Sequence, residues 1–142
     1  MKVLLILTLV AVSYGQRNRG KVAVDAQKNG SQYHFAWKHD GNKNYGWRGA
    51  NSYCSKLGNG WKGVSIETRE ESTFINEIIE RDGLPWIWTG GQRKGRDFTW
   101  ASGARFVGLN WSPTGATGKP QPDNQWRREL PCHSQKLCQR WN

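Results

Sequence analysis

The chain has 142 residues, nine tryptophans and a formal net charge of +10. That length suits one domain with a real core but little margin, and the aromatic content excludes a disordered chain. The charge admits polyanionic partners, but the basic residues are scattered and do not alternate with aromatics, so nucleic acid is not expected as a partner.

Residues 1–15 read as a secretory signal peptide: Lys2 is the positive start, Val3–Val12 the apolar stretch, and Ser13-Tyr14-Gly15 the small-residue cleavage site. The apolar run is shorter than the roughly 20 residues a spanning helix needs, and no later segment reaches that length, so no membrane span is expected. The expectation is a secreted, extracellular protein. Residues 16–31 are polar and without sustained period, and they read as a loose N-terminal arm. The arm carries Asn29-Gly30-Ser31, a glycosylation candidate at Asn29. A second acceptor, Asn110-Trp111-Ser112, lies among aromatics and is the poorer candidate.

Gln32–Trp37 (QYHFAW) reads as a strand and the following KHDGNKNYG as turn chemistry. From Trp47 the apolar residues Ala50, Tyr53, Cys54 and Leu57 fall at helical spacing, stopped by Gly58 and Gly60. Thr68-Arg69-Glu70-Glu71 is a capping box, in which the Thr hydroxyl and the Glu carboxylate satisfy free N–H groups. Phe74, Ile75, Ile78 and Ile79 then form one apolar face, ended by Gly83 and Pro85. PWIWTGG (85–91) reads as a short strand, GQRKGRD as a turn, and Phe98-Thr99-Trp100 as the start of another strand. The segment from Ser102 to Asn124 is too rich in glycine, proline and asparagine for regular structure, and long irregular segments in small domains are usually functional. Strands and helices in this order predict an α+β fold with two helices flanking small antiparallel sheets.

Three cysteines, Cys54, Cys132 and Cys138, leave one over after any pairing, as a free thiol or an intermolecular link. Catalysis finds no support. His34, His39 and His133 show no metal-site spacing, and no nucleophile sits in a recognisable elbow. Around Gly118-Lys119 a phosphate loop fails, because prolines hold its first glycine and its hydroxyl position. Glu70 and Glu71 are explained as charges at a helix start.

The series YHFAW, WRGANSYCSKLG, VSIETREESTFINEII, WIWTGG, FTWASG, NWS and KPQPDN, in order over residues 32–124, resembles a C-type lectin domain of the small secreted single-domain kind. The resemblance implies a long loop that binds Ca²⁺ and, through it, a sugar. Its Gln121-Pro122-Asp123 form implies galactose-type glycans, with Pro122 as a cis proline turning both side-chain oxygens the same way. Carried over by position, the metal ligands are Gln121, Asp123, Asn124 and an imitating Glu129; the carbohydrate contacts are Gln121, Pro122 and Asp123, with Trp126 nearby as an aromatic face. Ca²⁺ takes six to eight oxygens, and vicinal sugar hydroxyls can replace water on a held ion. Innate recognition of microbial surface glycans is a further implication of the resemblance.

The family's continuation after this tripeptide includes a Glu, a Cys, an Asn-Asp pair and a last strand whose Cys reaches the one on the first helix. Residues 125–142 read instead as a non-homologous basic tail, net +3 from Arg127, Arg128, Lys136 and Arg140 against Glu129. Synonymous codons for residues 126–142 can be chosen so that the next frame reads Gly-Gly-Glu-Asn-Cys-Leu-Ala-Ile-Leu-Lys-Asn-Phe-Val-Asn-Asp-Gly. The expectation is therefore a tail out of frame, an incomplete domain over 32–124, and missing C-terminal strands with exposed sheet edges. Cys54 would lose its partner unless the tail brings Cys132 or Cys138 within bridging distance. Sugar and calcium binding would be weakened or lost. The competing reading is a calcium-independent protein- or polyanion-binding module, with Trp86, Trp88 and Trp100 as contacts if they are not core residues.

Overall fold

The computed structural model describes residues 21–58, 60–109, 111, 113–114, 118–122 and 135–141; within the last segment, side chains are described for 137–139. The signal peptide, the start of the arm and residues 123–134 lie outside the described residues.

Strand β1 (Ala26–Lys28) pairs antiparallel with β2 (Ser31–Phe35). Asn29-Gly30 makes the two-residue turn between them, both residues at positive φ (47° and 79°), the twist that suits a tight hairpin. The expected loose arm is thus corrected over 21–31: its end is a sheet strand, and Val22 and Val24 pack on the core. The aromatic strand also stops at Phe35, and Ala36–Lys38 continues as a short 3-10 helix.

Helix α1 (Trp47–Lys56) buries Ala50 and Cys54, as its spacing predicts. Strand β3 is the pair Lys62–Gly63. Helix α2 (Arg69–Arg81) begins at Thr68, whose hydroxyl accepts the Glu71 N–H at 3.1 Å. The reciprocal half differs from the expected box. The Glu71 carboxylate accepts from the Glu67 N–H, one residue outside the cap, and otherwise turns into the core. Ile75 and Ile78 are buried and Phe74 and Ile79 flank them; Gly83, at φ +62°, ends the helix.

Strand β4 is reduced to Ile87–Trp88. The stretch read as a turn holds β5 (Gln92–Lys94), which pairs with β6 (Asp97–Thr99) as a separate hairpin. Among the described residues of 102–124 no helix or strand occurs.

The largest departure is at the C-terminus. Gln135–Trp141 forms strand β7, and it lies inside the main sheet, whose order is β1-β2-β7-β3. β2 pairs with it antiparallel from Ser31↔Trp141 to Phe35↔Leu137, β3 through Lys62↔Gln139 and Gly63↔Cys138, and β4 runs parallel to it through Ile87↔Gln135. The expectation of missing final strands is overturned: this tail supplies the strand on which the others assemble.

Alternation along β7 explains how so polar a strand is accommodated. Leu137 and Gln139 face the α2 side, where Tyr33, Phe35, Val64, Ile75 and Ile78 make the main core. Cys138 faces the α1 side and is bonded to Cys54, their Cα atoms 5.4 Å apart. The Cys54 partner left open in the sequence is therefore Cys138.

Gln139 is fully buried and each end of its amide is used. Its oxygen accepts the Ser65 N–H at 3.0 Å, and its nitrogen donates to Glu71 Oε1 at 2.6 Å and to the Ser31 and Tyr33 hydroxyls at 3.3 Å. The Tyr33 hydroxyl also donates to Glu71 Oε1 at 2.8 Å. Burial, then this carboxylate, push the Tyr33 phenol well above the ordinary range, so it stays a donor.

Candidate functional site

The long loop starts from a fixed root. Trp100 is buried, and its ring lies 4.7 Å from that of Phe106, which also packs against Phe98 and Trp111. The Ser102 hydroxyl donates to Glu67 Oε1 at 2.8 Å, tying the root to the segment that enters α2. Gly90 and Gly63 pack backbone to backbone beside it, and a Cβ on Gly90 would overlap the Gly63 carbonyl. The loop thus departs from a rigid corner between the two sheets.

At its far end the Gln121–Pro122 peptide is cis, as the tripeptide led one to expect. Gln121 is half-buried and its amide nitrogen donates to the Lys119 carbonyl at 3.4 Å, while Pro122 is exposed. The other expected site residues, Asp123, Asn124, Trp126 and Glu129, lie outside the described residues. Of the proposed donor set, one amide side chain is therefore described, on a turn open to solvent, which fits an oxygen-seeking cation.

Asn29 is exposed at the tip of the β1–β2 hairpin, whereas Ser31 of the same sequon is buried under Gln139. Asn110 and Ser112 of the second sequon lie outside the described residues. The tryptophans divide. Trp100 is core, and Trp88 is half-buried with its indole N–H donating to the Tyr45 carbonyl. Trp86, by contrast, is 57% exposed, and Val107 (49%) and Trp111 (38%) are the other large apolar side chains left open among the described residues.

One constellation went unread in the sequence. Asp25, His34 and His39 come together so that one donor atom from each lies within 4.8 Å of the others. His39 Nε2 is 2.9 Å from both Asp25 oxygens, and His34 Nδ1 is 3.8 Å from Oδ2. His34 Nδ1 is also 2.9 Å from the Ala23 carbonyl, so it carries the ring proton, and Nε2 accepts from the Tyr53 hydroxyl at 2.8 Å. Burial first, then the negative charge of Asp40, Tyr45 and Asp25, push the Tyr53 phenol up to about 12. The sequence signal was the Asn-Gly hairpin turn, which sets Asp25 opposite the aromatic strand; the Asp25 N–H donates to the Tyr33 carbonyl at 2.8 Å.

No family model matches the chain. Over 104 residues it is 28% identical to one of the two chain types of the snaclec coagulation factor IX/factor X-binding protein of Echis carinatus, covering 67% of this chain and 72% of that one. Over 90 residues it is 32% identical to a lectin of Pleurodeles waltl, covering 61% of this chain and 48%, about half, of the other protein. The C-type lectin domain of murine dendritic cell inhibitory receptor 2, solved in complex with N-glycan, superposes with a TM-score of 0.59 over 82% of this chain and 95% of that one, at 16% identity. The fold is the C-type lectin-like fold: two helices, small antiparallel sheets and a long irregular loop. No helix among the described residues is long and apolar enough to cross a membrane.

Proposed function

We propose that the chain is a secreted, non-catalytic carbohydrate-binding domain of the C-type lectin kind, which takes galactose-type glycans through Ca²⁺ held at the loop end. The observation that carries this reading is the cis Gln121–Pro122 bond at the end of a long loop on the C-type lectin-like fold. Gln121 and Asp123, with Asn124 and Glu129, would hold the ion, which when bound offers open coordination positions to two neighbouring sugar hydroxyls. Pro122 shapes the turn, and Trp126 is the proposed face for the apolar side of the sugar. Four such donors are few for an ion that takes six to eight oxygens, so binding is expected to be weak. Microbial surface glycans are the proposed natural ligands, and the exposed Asn29 a proposed glycosylation site. The apolar leader and the Cys54–Cys138 bond support an oxidising, extracellular setting.

A second reading has its own observation. Trp86 stands 57% exposed on a chain of net charge +10, which suits a calcium-independent contact with an acidic protein or glycan surface. The relative from Echis carinatus is named for binding coagulation factors IX and X, not a sugar. One experiment separates the two: retention of the mature protein on immobilised galactose and on heparin, each with and without a calcium chelator. Chelator-sensitive retention on galactose supports the lectin; salt-sensitive, chelator-indifferent retention on heparin alone replaces it with the second reading.

A further inference from the structure

We infer that Asp25, His34 and His39 form a zinc site, separate from the loop and independent of any sugar binding. Two imidazoles and one carboxylate are a donor set suited to Zn²⁺, which binds nitrogen and carboxylate oxygen at about 2.0–2.2 Å in tetrahedral geometry. Tetrahedral donors at that distance sit about 3.4 Å apart. Here Asp25 is 2.9 Å from His39 Nε2 and 3.8 Å from His34 Nδ1, so small side-chain movements close the site.

The parts that must stay still are held, and the part that must move has room. Asp25 Oδ2 accepts the Phe35 N–H at 2.7 Å, which aims the carboxylate. The His34 ring is confined between the rings of Tyr53 and Trp61, with centroids 5.8 and 6.0 Å away. His39 lies stacked on His34 at 4.5 Å, and its side chain is 32% exposed, so it can swing its ring to share an ion with its neighbour. Solvent reaches the site from the His39 side, which supplies an entry path.

Binding requires one proton to relocate. His34 Nδ1 now donates to the Ala23 carbonyl; as a zinc ligand it gives up that proton, and Nε2 takes one up. The protonated Nε2 then donates to the Tyr53 hydroxyl, which has until then donated to it and can accept as well. His34 remains neutral before and after. Ala23 is exposed, so its released carbonyl finds water or becomes the fourth ligand on the ion. The Tyr53 hydroxyl fixes the ring orientation from behind, as hydrogen-bond partners of ligating histidines do in metal sites.

The test is isothermal titration of ZnCl₂ into untagged mature protein stripped of metal, with millimolar Ca²⁺ present throughout so that any loop site is already filled. The expected result is one equivalent of zinc per chain, with affinity lowered about tenfold or more in both His39→Ala and Asp25→Asn. Near-UV circular dichroism identifies a variant that fails to fold. The second readout is the ¹⁵N spectrum of His34, in which zinc should move the proton-bearing nitrogen from Nδ1 to Nε2. No zinc binding, unchanged binding in His39→Ala, or binding that leaves the His34 tautomer as it was would each overturn the inference. Zinc held by Cys132 and His133 would show the second pattern. Because Ca²⁺ is saturating and no sugar is used, failure here leaves the lectin reading standing, and the reverse.

Discussion

Gln139→Leu is the sharpest perturbation of this structure, because it keeps side-chain volume while deleting an amide with four partners. The fully buried Ser65 loses the acceptor for its N–H, at a cost of about 1–3 kcal/mol. Glu71 loses a charge-assisted donor and keeps Tyr33 and the Glu67 N–H, a further loss of about 1.5–3 kcal/mol. Burying leucine in place of a polar group returns about 1 kcal/mol. The net is about 2–4 kcal/mol, a large share of the roughly 5–15 kcal/mol that holds a domain together. For a domain of this size that lowers Tm by about 10 °C. The assay is urea unfolding under non-reducing conditions, wild type against variant, with exposed Gln27→Ala as the control. A loss below about 0.5 kcal/mol would mean that β7 does not occupy this place, and the account of the C-terminus would fall with it.

Other outcomes follow from the same contacts. Replacing both Cys54 and Cys138 by alanine opens a loop of 84 residues and should cost about 4.5 kcal/mol by chain entropy, measured by the same unfolding curves. In the unreduced protein, alkylation with mass analysis should find Cys54 and Cys138 protected as a pair and Cys132 either labelled or linked to a second molecule. The Arg81 hydrogen bond above all, helped by the Trp37 indole, holds the Asp82 carboxyl below its ordinary value of 3.8. A lowered folded-state value stabilises above the unfolded one and is lost as pH falls through it, so Asp82→Asn should flatten acid unfolding below about pH 4 and change little at pH 7. Gly90→Ala drives a methyl into the Gly63 carbonyl and should destabilise by about 1–3 kcal/mol or prevent folding, which soluble yield and Tm will show.

Both helices were legible in the sequence because each carries a one-sided apolar face and a stop, and α2 also has a capping hydroxyl. The strands that escaped did so for physical reasons. Ala26–Lys28 is an edge strand with two of its three residues exposed, so no apolar alternation marks it, and only the Asn-Gly turn betrays it. In β7 the buried residue after Cys138 is glutamine, whose burial is balanced by hydrogen bonds that no periodicity reveals. The cis turn at Gln121–Pro122 was readable through resemblance to a family. Asp25, His34 and His39 were not, because their approach depends on the hairpin register and on the 3-10 turn after Phe35.

The placement of β7 also changes what a damaged loop would mean. Every described contact that seats this strand comes from β2, β3, β4, the disulfide to α1 and the Glu71 carboxylate of α2. Gln121 and Pro122 are not among those contacts. Closure of the fold and capture of a sugar are therefore separable properties. An altered stretch between Pro122 and Gln135 can remove metal ligands without unfolding the domain. The chief reason for reading the whole tail as out of frame, a missing last strand and its cysteine, is gone, since Cys138 meets Cys54 in the frame as given. A frame slip would have to be closed again before residue 135, or else replace a strand whose buried side chains already fit. The separation is measurable: Asp123→Ala should abolish chelator-sensitive retention on galactose with Tm unchanged, whereas Gln139→Leu should lower Tm whether or not galactose is retained. Coupled loss in Asp123→Ala would show instead that the loop is part of what closes the fold.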